Sequence, residues 1–125
     1  MGKNGFYFFE ANGIKYYASF PAKNRFNVAV AVPIAENLYF AKAVDVSLGK
    51  KVATADIYAG IANSGAPVVR APKKVGRVRF NARDAEEYLK ALDPADPERF
   101  AEACDALTLF ALVLLRQSSK NNAWG

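Results

Sequence analysis

Residues 5–20 read GFYFFEANGIKYYASF, and this stretch decides the architecture of the first half of the chain. The dipeptide Asn12-Gly13 separates two runs of aromatic and apolar residues. It favours a two-residue type I′ turn, which needs a positive φ at both central positions. The stretch therefore predicts a β-hairpin in which Phe8 lies directly opposite Tyr17 on the second strand.

The predicted register divides the side chains of this hairpin between two faces, because successive residues of a strand point to opposite sides. One face is apolar, which indicates a buried side. Its members are Tyr7, Phe9, Ala11, Ile14, Tyr16, Ala18 and Phe20. The other face mixes aromatic rings with an ion pair and a hydroxyl, which is typical of a partly hydrated surface. Its members are Phe6, Phe8, Glu10, Lys15, Tyr17 and Ser19.

Two further strands follow the hairpin. Alternation of valine with small or polar residues predicts a strand over Arg25–Val32, and Pro33 is expected to end it because proline cannot donate to a sheet. The β propensity of Asn37–Ser47 predicts the next strand. A turn at Gly49-Lys50 then leads to another strand that starts near Lys51.

The middle of the chain is less clearly patterned. Residues Thr54–Ala62 fit either a strand or a short alanine-rich helix, and the sequence leaves both open, with the strand favoured at the start of the segment. A short segment, Pro67–Arg70, and a strand over Val75–Phe80 follow. In the latter, Val78 and Phe80 point to one side of the strand and the neighbouring arginines to the other.

Helix caps are recognisable from Asn81 onward. Asn81 is a favourable N-cap, and it predicts a helix from Ala82 to Leu92. A second, long and apolar helix is predicted over Pro97–Gln117, within a single domain that spans residues 1–117, followed by a flexible tail over 118–125. Strands followed by helices indicate an α+β fold: a mainly antiparallel sheet of about five or six strands, then two C-terminal helices.

The residues that the chain lacks exclude several kinds of site. It contains no histidine, the commonest general base and metal ligand, and its one cysteine, Cys104, can form no intramolecular disulfide. Glycines form no phosphate-binding pattern, and acidic residues gather in no evident apolar pocket. The sequence thus predicts a non-enzymatic protein with neither metal nor cofactor, and Cys104 is interpreted as a small core residue.

The sequence also predicts where the protein acts. No basic and apolar leader opens the chain, so secretion is not expected. The longest low-polarity run, Ala106–Leu115, is about half of the roughly 20 residues that a membrane span needs. We therefore expect an intracellular setting, cytoplasmic or viral, and no association with a membrane.

Positive charge is concentrated in the predicted sheet. Up to Phe80 the chain has 12 lysines and arginines against 4 acidic residues, whereas from Asn81 onward it has 5 against 8. Aromatic residues show the same bias, since 10 of the 16 lie within the first 40 residues. Cations beside exposed rings on a sheet are typical of proteins that bind single-stranded nucleic acid.

The function predicted from these features is binding of single-stranded DNA or RNA with low sequence specificity, because phosphate contacts and stacking do not read base edges. The residues expected to hold phosphates are Lys15, Arg25, Arg70, Lys73, Lys74, Arg77 and Arg79. The residues expected to stack on bases are Phe6, Phe8 and Tyr17. Each feature also has a simpler interpretation: the arginines can belong to a solvated strand face, and the rings can be covered by a loop or a second subunit.

The last predicted helix suggests a partner. Its final turns carry apolar residues on all sides, and a helix of this kind is buried all round. We expect a homodimer formed through Pro97–Gln117, the alternative being a monomer whose helix runs through its middle. A rival function follows from this expectation, in which the protein is a structural or assembly protein, for example a viral one, and uses the second aromatic face and the helix as subunit interfaces.

Two segments carry a family resemblance. KKVGRVRFNARDAEEYLKAL (73–92) resembles the last strand and helix of the Whirly and transcriptional-coactivator family of single-stranded DNA-binding proteins, and residues 37–60 resemble the preceding strand pair. This resemblance implies a curved antiparallel sheet crossed by DNA, with a helix that mediates dimerisation. The chain differs from that pattern by its aromatic hairpin in front and its longer helix behind. It also resembles, in the same general way, the single-stranded DNA-binding proteins of some hyperthermophilic archaea.

Overall fold

The computed structural model describes residues 5–63 and 73–124. Six strands form one antiparallel sheet in which the spatial order follows the chain order, and two helices come after them. This confirms the predicted α+β class. The elements are β1 (Gly5–Ala11), β2 (Ile14–Ala22), β3 (Arg25–Ala35), β4 (Leu38–Leu48), β5 (Val52–Asn63), β6 (Lys74–Asn81), α1 (Ala82–Ala91) and α2 (Pro97–Trp124).

The first hairpin has the predicted turn and register. Asn12 and Gly13 have φ values of 55° and 81°, as a type I′ turn requires. Phe8 lies opposite Tyr17, so the two predicted faces of the hairpin are the observed ones. The local chemistry of two turn residues therefore sets which rings enter the core.

The structure corrects the expected end of the third strand and resolves the ambiguous segment. β3 continues through Pro33, which pairs with Tyr39 of β4. The ladder between β2 and β3 runs only to Ala31, so the missing N–H of Pro33 interrupts no bond to β2. Residues 54–62 are strand throughout and belong to β5, where each has a partner on β4. The predicted segment Pro67–Arg70 lies outside the described residues.

The core lies between one face of the sheet and the two helices. α2 crosses this face from β2 toward β6, and Leu115 lies over Gly76, where a larger residue would collide with it. The largest fully buried side chains come from both layers: Phe26, Val28, Val30, Val44, Val46, Ile57, Leu92, Phe100, Cys104, Leu107 and Thr108. The ring of Phe40, near the first residue of β4, is exposed, so the helices do not cover this part of the face.

The two helices begin at the predicted residues, Ala82 and Pro97, and each has a capping side chain. The Asn81 side chain accepts a hydrogen bond from the Arg83 backbone N–H at 2.8 Å, and that of Asp96 accepts one from the Arg99 N–H at 3.3 Å. α2 extends beyond Gln117 to Trp124. The division into a domain over 1–117 and a flexible tail over 118–125 stays a prediction.

The apolar character predicted for α2 is not supported. One stripe of the helix is buried against the sheet, but Glu102, Asp105 and Arg116 are exposed on its other sides. Among the apolar residues, Leu109 and Val113 point to solvent, with 60% and 44% exposure. α2 is therefore an amphipathic cover for its own sheet. Neither helix, over the residues that the structure describes, is long and apolar enough to cross a membrane.

Candidate nucleic-acid interface

The face of the sheet opposite the helices, called here the open face, is covered by neither α1 nor α2 in the part of the chain that the structure describes. Its small apolar cluster is built from sheet residues alone, and no described residue of α1 or α2 belongs to it. The registers of the strands place aromatic, small and charged side chains here in that order from β1 to β6. The open face is thus the surface on which a ligand could meet the cations and rings of the sheet.

Aromatic rings form the β1 end of the open face. The rings of Phe6 and Phe8 lie against the ring of Tyr17, with centroid separations of 5.6 and 5.1 Å. Tyr17 is 3% exposed beneath them, and this burial raises the pKa of its hydroxyl. Phe6 and Phe8 remain 42% and 49% exposed. Tyr17 therefore supports two exposed rings and does not offer a ring face of its own.

The centre of the open face is lined by small side chains. Ala29, Ala31 and Ala41 are buried there, and the ring of Tyr39 lies beside them. The Lys15 ammonium lies 4.6 Å from the centroid of the Tyr39 ring, a cation–π contact that spans β3 between β2 and β4. Ala31 and Ala41 have no exposed surface of their own, so the side chains around them form the surface at the centre of the open face.

A ladder of charges crosses β3 to β6. Asp45 and Asp56 lie directly opposite each other on β4 and β5, an arrangement that is unfavourable for two like charges. Cations flank both carboxylates. Arg25 binds Asp45 at 2.7 Å, and Asp56 is bound by Arg77 at 2.6 Å and by Lys74 at 3.1 Å.

These contacts set the ionisation of the ladder. The hydrogen bond from Arg77 lowers the pKa of Asp56 below its ordinary value, and the one from Lys74 acts in the same direction. Asp56 also raises the pKa of Arg77, chiefly through that same hydrogen bond. One carboxylate thus holds two exposed cations at the β6 end of the open face.

Most of the residues predicted to bind nucleic acid lie on the open face. Lys73, immediately before β6, is exposed, and its backbone carbonyl accepts a hydrogen bond from the Ala59 N–H at 3.1 Å. Arg79 is exposed opposite Thr54. Arg70 lies outside the described residues. The predicted residues that the registers and ion pairs bring together on this face are Phe6, Phe8, Lys15, Tyr17, Arg25, Lys74, Arg77 and Arg79.

Sequence reasoning missed the carboxylates and one ring of this face. Asp45 and Asp56 are the only acidic residues of β4 and β5, which is a detectable signal. Their pairing with Arg25 and Arg77 depends on register, and so does the contact between Tyr39 and Lys15. One oxygen of Asp45, Oδ1, is buried without a hydrogen-bond partner in the described part of the chain.

Cys104 contributes no chemistry to this face. It is buried in α2, where its thiol lies 3.7 Å from the Tyr17 carbonyl oxygen, and burial raises its pKa far above the ordinary thiol value. Its interpretation as a small core residue fits this position. Within residues 5–63 and 73–124, no group of three or more cysteine or acidic side chains is placed to hold a metal ion.

Comparison of the chain with protein-family models, with curated proteins and with solved structures finds no match. The resemblances to the Whirly family and to archaeal single-stranded DNA-binding proteins therefore stay predictions.

Proposed function

We propose that this protein binds single-stranded DNA or RNA, with low sequence specificity, across the open face of its sheet. The main support for this proposal is the position of Phe6 and Phe8. Their exposed rings lie on a sheet face that has more cations than carboxylates. Stacking on such rings stabilises a complex by about 1–3 kcal/mol per base and favours no particular base.

The charges of the open face favour a polyanion. Its cations are Lys15, Arg25, Lys74, Arg77 and Arg79, and its carboxylates are Glu10, Asp45 and Asp56. The side chains of Arg25, Lys74 and Arg77 are 47%, 44% and 61% exposed while they hold their carboxylates. Arg79 has no ion-pair partner among the described residues. Each cation can therefore meet a phosphate without a change of fold.

The layout favours a single strand over a duplex. The exposed rings of Phe6 and Phe8 can accept unstacked bases, which a double helix keeps inside. Binding of this kind belongs to an intracellular protein, cellular or viral, and it needs neither a cofactor nor a catalytic group.

The rival function is assembly of a structural protein through hydrophobic surfaces. The observation in its favour is a set of exposed apolar side chains on the side of the helices: Phe40, Ile61, Leu109 and Val113. A homodimer formed through α2 would use the last two. The salt dependence of the affinity distinguishes the two functions. Affinity for nucleic acid falls steeply as salt rises, whereas the affinity of a hydrophobic interface changes little.

A matched pair of variants tests the proposal. Phe6→Ala with Phe8→Ala removes both exposed rings from the open face, and Phe40→Ala removes an exposed ring from the opposite face. Loss of one stacked base corresponds to an affinity decrease of about 5-fold to 150-fold. We expect that decrease for the double variant and none for the control, measured with a labelled single strand at a protein concentration below any self-association. An equal effect of both changes would contradict the proposal.

A further inference from the structure

β1 is an edge strand of the sheet, and within the described residues Glu10 is its only charged side chain. Edge strands of natural proteins are normally protected by charged side chains, above all lysine, by proline or by a β-bulge, because their unpaired backbone groups attract other strands. β6, the other edge, carries Lys74, Arg77 and Arg79, and its ladder with β5 shifts register. β1 (Gly5–Ala11) contains no lysine, arginine or proline, and its ladder with β2 is regular.

The register identifies the backbone groups that this edge presents. In a two-residue hairpin, the residues beside the turn, here Ala11 and Ile14, form a hydrogen-bonded pair, and paired and unpaired positions alternate from there. Phe6, Phe8 and Glu10 therefore direct their N–H and C=O groups away from β2. No described residue supplies a partner for these groups.

We propose that β1 pairs with β1 of a second copy of this chain, antiparallel, about a two-fold axis at Phe8. In this register Phe8 exchanges both backbone bonds with the partner's Phe8, and Phe6 pairs with the partner's Glu10. Every backbone N–H and C=O group of β1 that points away from β2 then has a hydrogen-bond partner. An axis at Tyr7 would place Glu10 opposite residue 4 of the partner, outside the described strand, so the axis at Phe8 is the one that pairs all outward groups of β1 with one another.

Side chains and charges agree with a second copy as the occupant. On the helix side, Tyr7 would lie opposite the partner's Phe9 at a position where side chains approach most closely, an arrangement that favours aromatic pairs. A groove lined by Tyr7, Phe8, Phe9, Pro94, Pro97 and Phe100 borders this edge. Glu10 would face the partner's Phe6, so no like charges meet at this interface. Pairing of two β6 strands would instead place the cations of one copy opposite those of the other.

The pairing would give one continuous sheet whose two open faces join along β1. The exposed rings of Phe6 and Phe8 would then form an unbroken aromatic ridge with those of the partner. This inference does not depend on nucleic-acid binding, and its test uses no nucleic acid.

The decisive variants are Phe8→Pro and Phe8→Ala. The Phe8 N–H points away from β2, so proline fits the strand of the monomer but removes the two N–H groups that cross the proposed axis. Alanine removes the same ring and keeps those groups. At about 1 kcal/mol per bond, dimerisation of Phe8→Pro should be about 30-fold weaker than that of Phe8→Ala. Sedimentation equilibrium in high salt, which screens the net charge of +5, gives both constants.

Two outcomes would overturn the proposal. One is a wild-type chain that remains a 13.6 kDa monomer into the high micromolar range. The other is a dimer that Leu109→Lys with Val113→Lys abolishes while Phe8→Pro leaves it intact, which would assign the interface to α2.

Amide hydrogen exchange of the wild-type protein gives a second test, which does not require the variants to fold. We expect the amides of Phe6, Phe8 and Glu10 to gain protection as concentration rises, since they face solvent in the monomer. Fast exchange of all three in a sample that is already dimeric would also overturn the proposal.

Discussion

The substitution Asp56→Asn should strengthen binding of single-stranded nucleic acid, although Asp56 itself is not predicted to contact the nucleic acid. In the structure Asp56 holds both Arg77, at 2.6 Å, and Lys74, at 3.1 Å. Asparagine is nearly isosteric with aspartate but neutral, so both cations lose their charged partner while the strand keeps its shape. Each of them then becomes fully available to a phosphate.

The expected size of the effect follows from counterion release. For a single strand, each additional neutralised phosphate steepens the dependence of log affinity on log salt by about 0.7. Two released cations steepen it by about 1.4, so the advantage of the variant over wild type should grow about sevenfold when salt falls from 200 to 50 mM. Fluorescence anisotropy of a labelled strand measures both slopes.

Glu87→Gln is the matched control. Glu87 is exposed on α1 and binds Lys90 at 3.5 Å, so this change also removes one negative charge and one surface ion pair, but on the opposite face. Its salt dependence should stay close to that of wild type. If both variants steepen equally, the gain reflects net charge alone and the open face is not the phosphate-binding surface. An unchanged slope for Asp56→Asn would refute the competition between Asp56 and phosphate.

Other predictions follow from the same structure. Arg77→Ala with Arg79→Ala should weaken single-strand affinity and leave the oligomeric state unchanged by sedimentation; loss of the oligomer would instead assign these arginines to an interface. Phe100→Ala, at a site only 1% exposed, should lower the free energy of unfolding by about 3–5 kcal/mol in urea titrations, whereas Leu109→Ala should change it by less than about 0.5 kcal/mol. The lowered pKa of Asp56 means that its stabilisation is complete above about pH 4 and is lost as pH falls through the folded-state pKa. Asp56→Asn should therefore show a smaller acid-induced decrease in melting temperature than wild type; an equal decrease would contradict this assignment.

Features fixed by local chemistry could be predicted from the sequence. The turn at Asn12-Gly13 sets the hairpin register because Asn-Gly favours a two-residue type I′ turn, whose geometry matches the twist of the strands. The cap at Asn81 is local in the same way, since its side chain binds a backbone N–H only two residues away. Neither feature needs knowledge of the rest of the fold.

Features fixed by partners distant in sequence could not be predicted. The alanines of residues 54–62 suit a helix or a strand equally, and the neighbouring strand β4 decides between them. Pro33 continues a strand because β2 stops before it. The burial of Tyr17 under Phe6 and Phe8, and the meeting of Asp45 with Asp56, both depend on registers between strands. The cations and rings of the candidate site could therefore be predicted from the sequence, but its ion pairs could not be predicted.

The most direct test of the central claim is fluorescence anisotropy of a labelled single strand of about 20 nucleotides, titrated with the wild-type protein at 50 and 200 mM salt beside a duplex of the same sequence. We predict micromolar or tighter binding that favours the single strand. If the three cations of the open face that Asp56 does not hold, Lys15, Arg25 and Arg79, each neutralise a phosphate, affinity should fall about 20-fold between the two salt concentrations. Absence of binding at 50 mM salt would contradict the claim and leave the exposed rings as a protein interface.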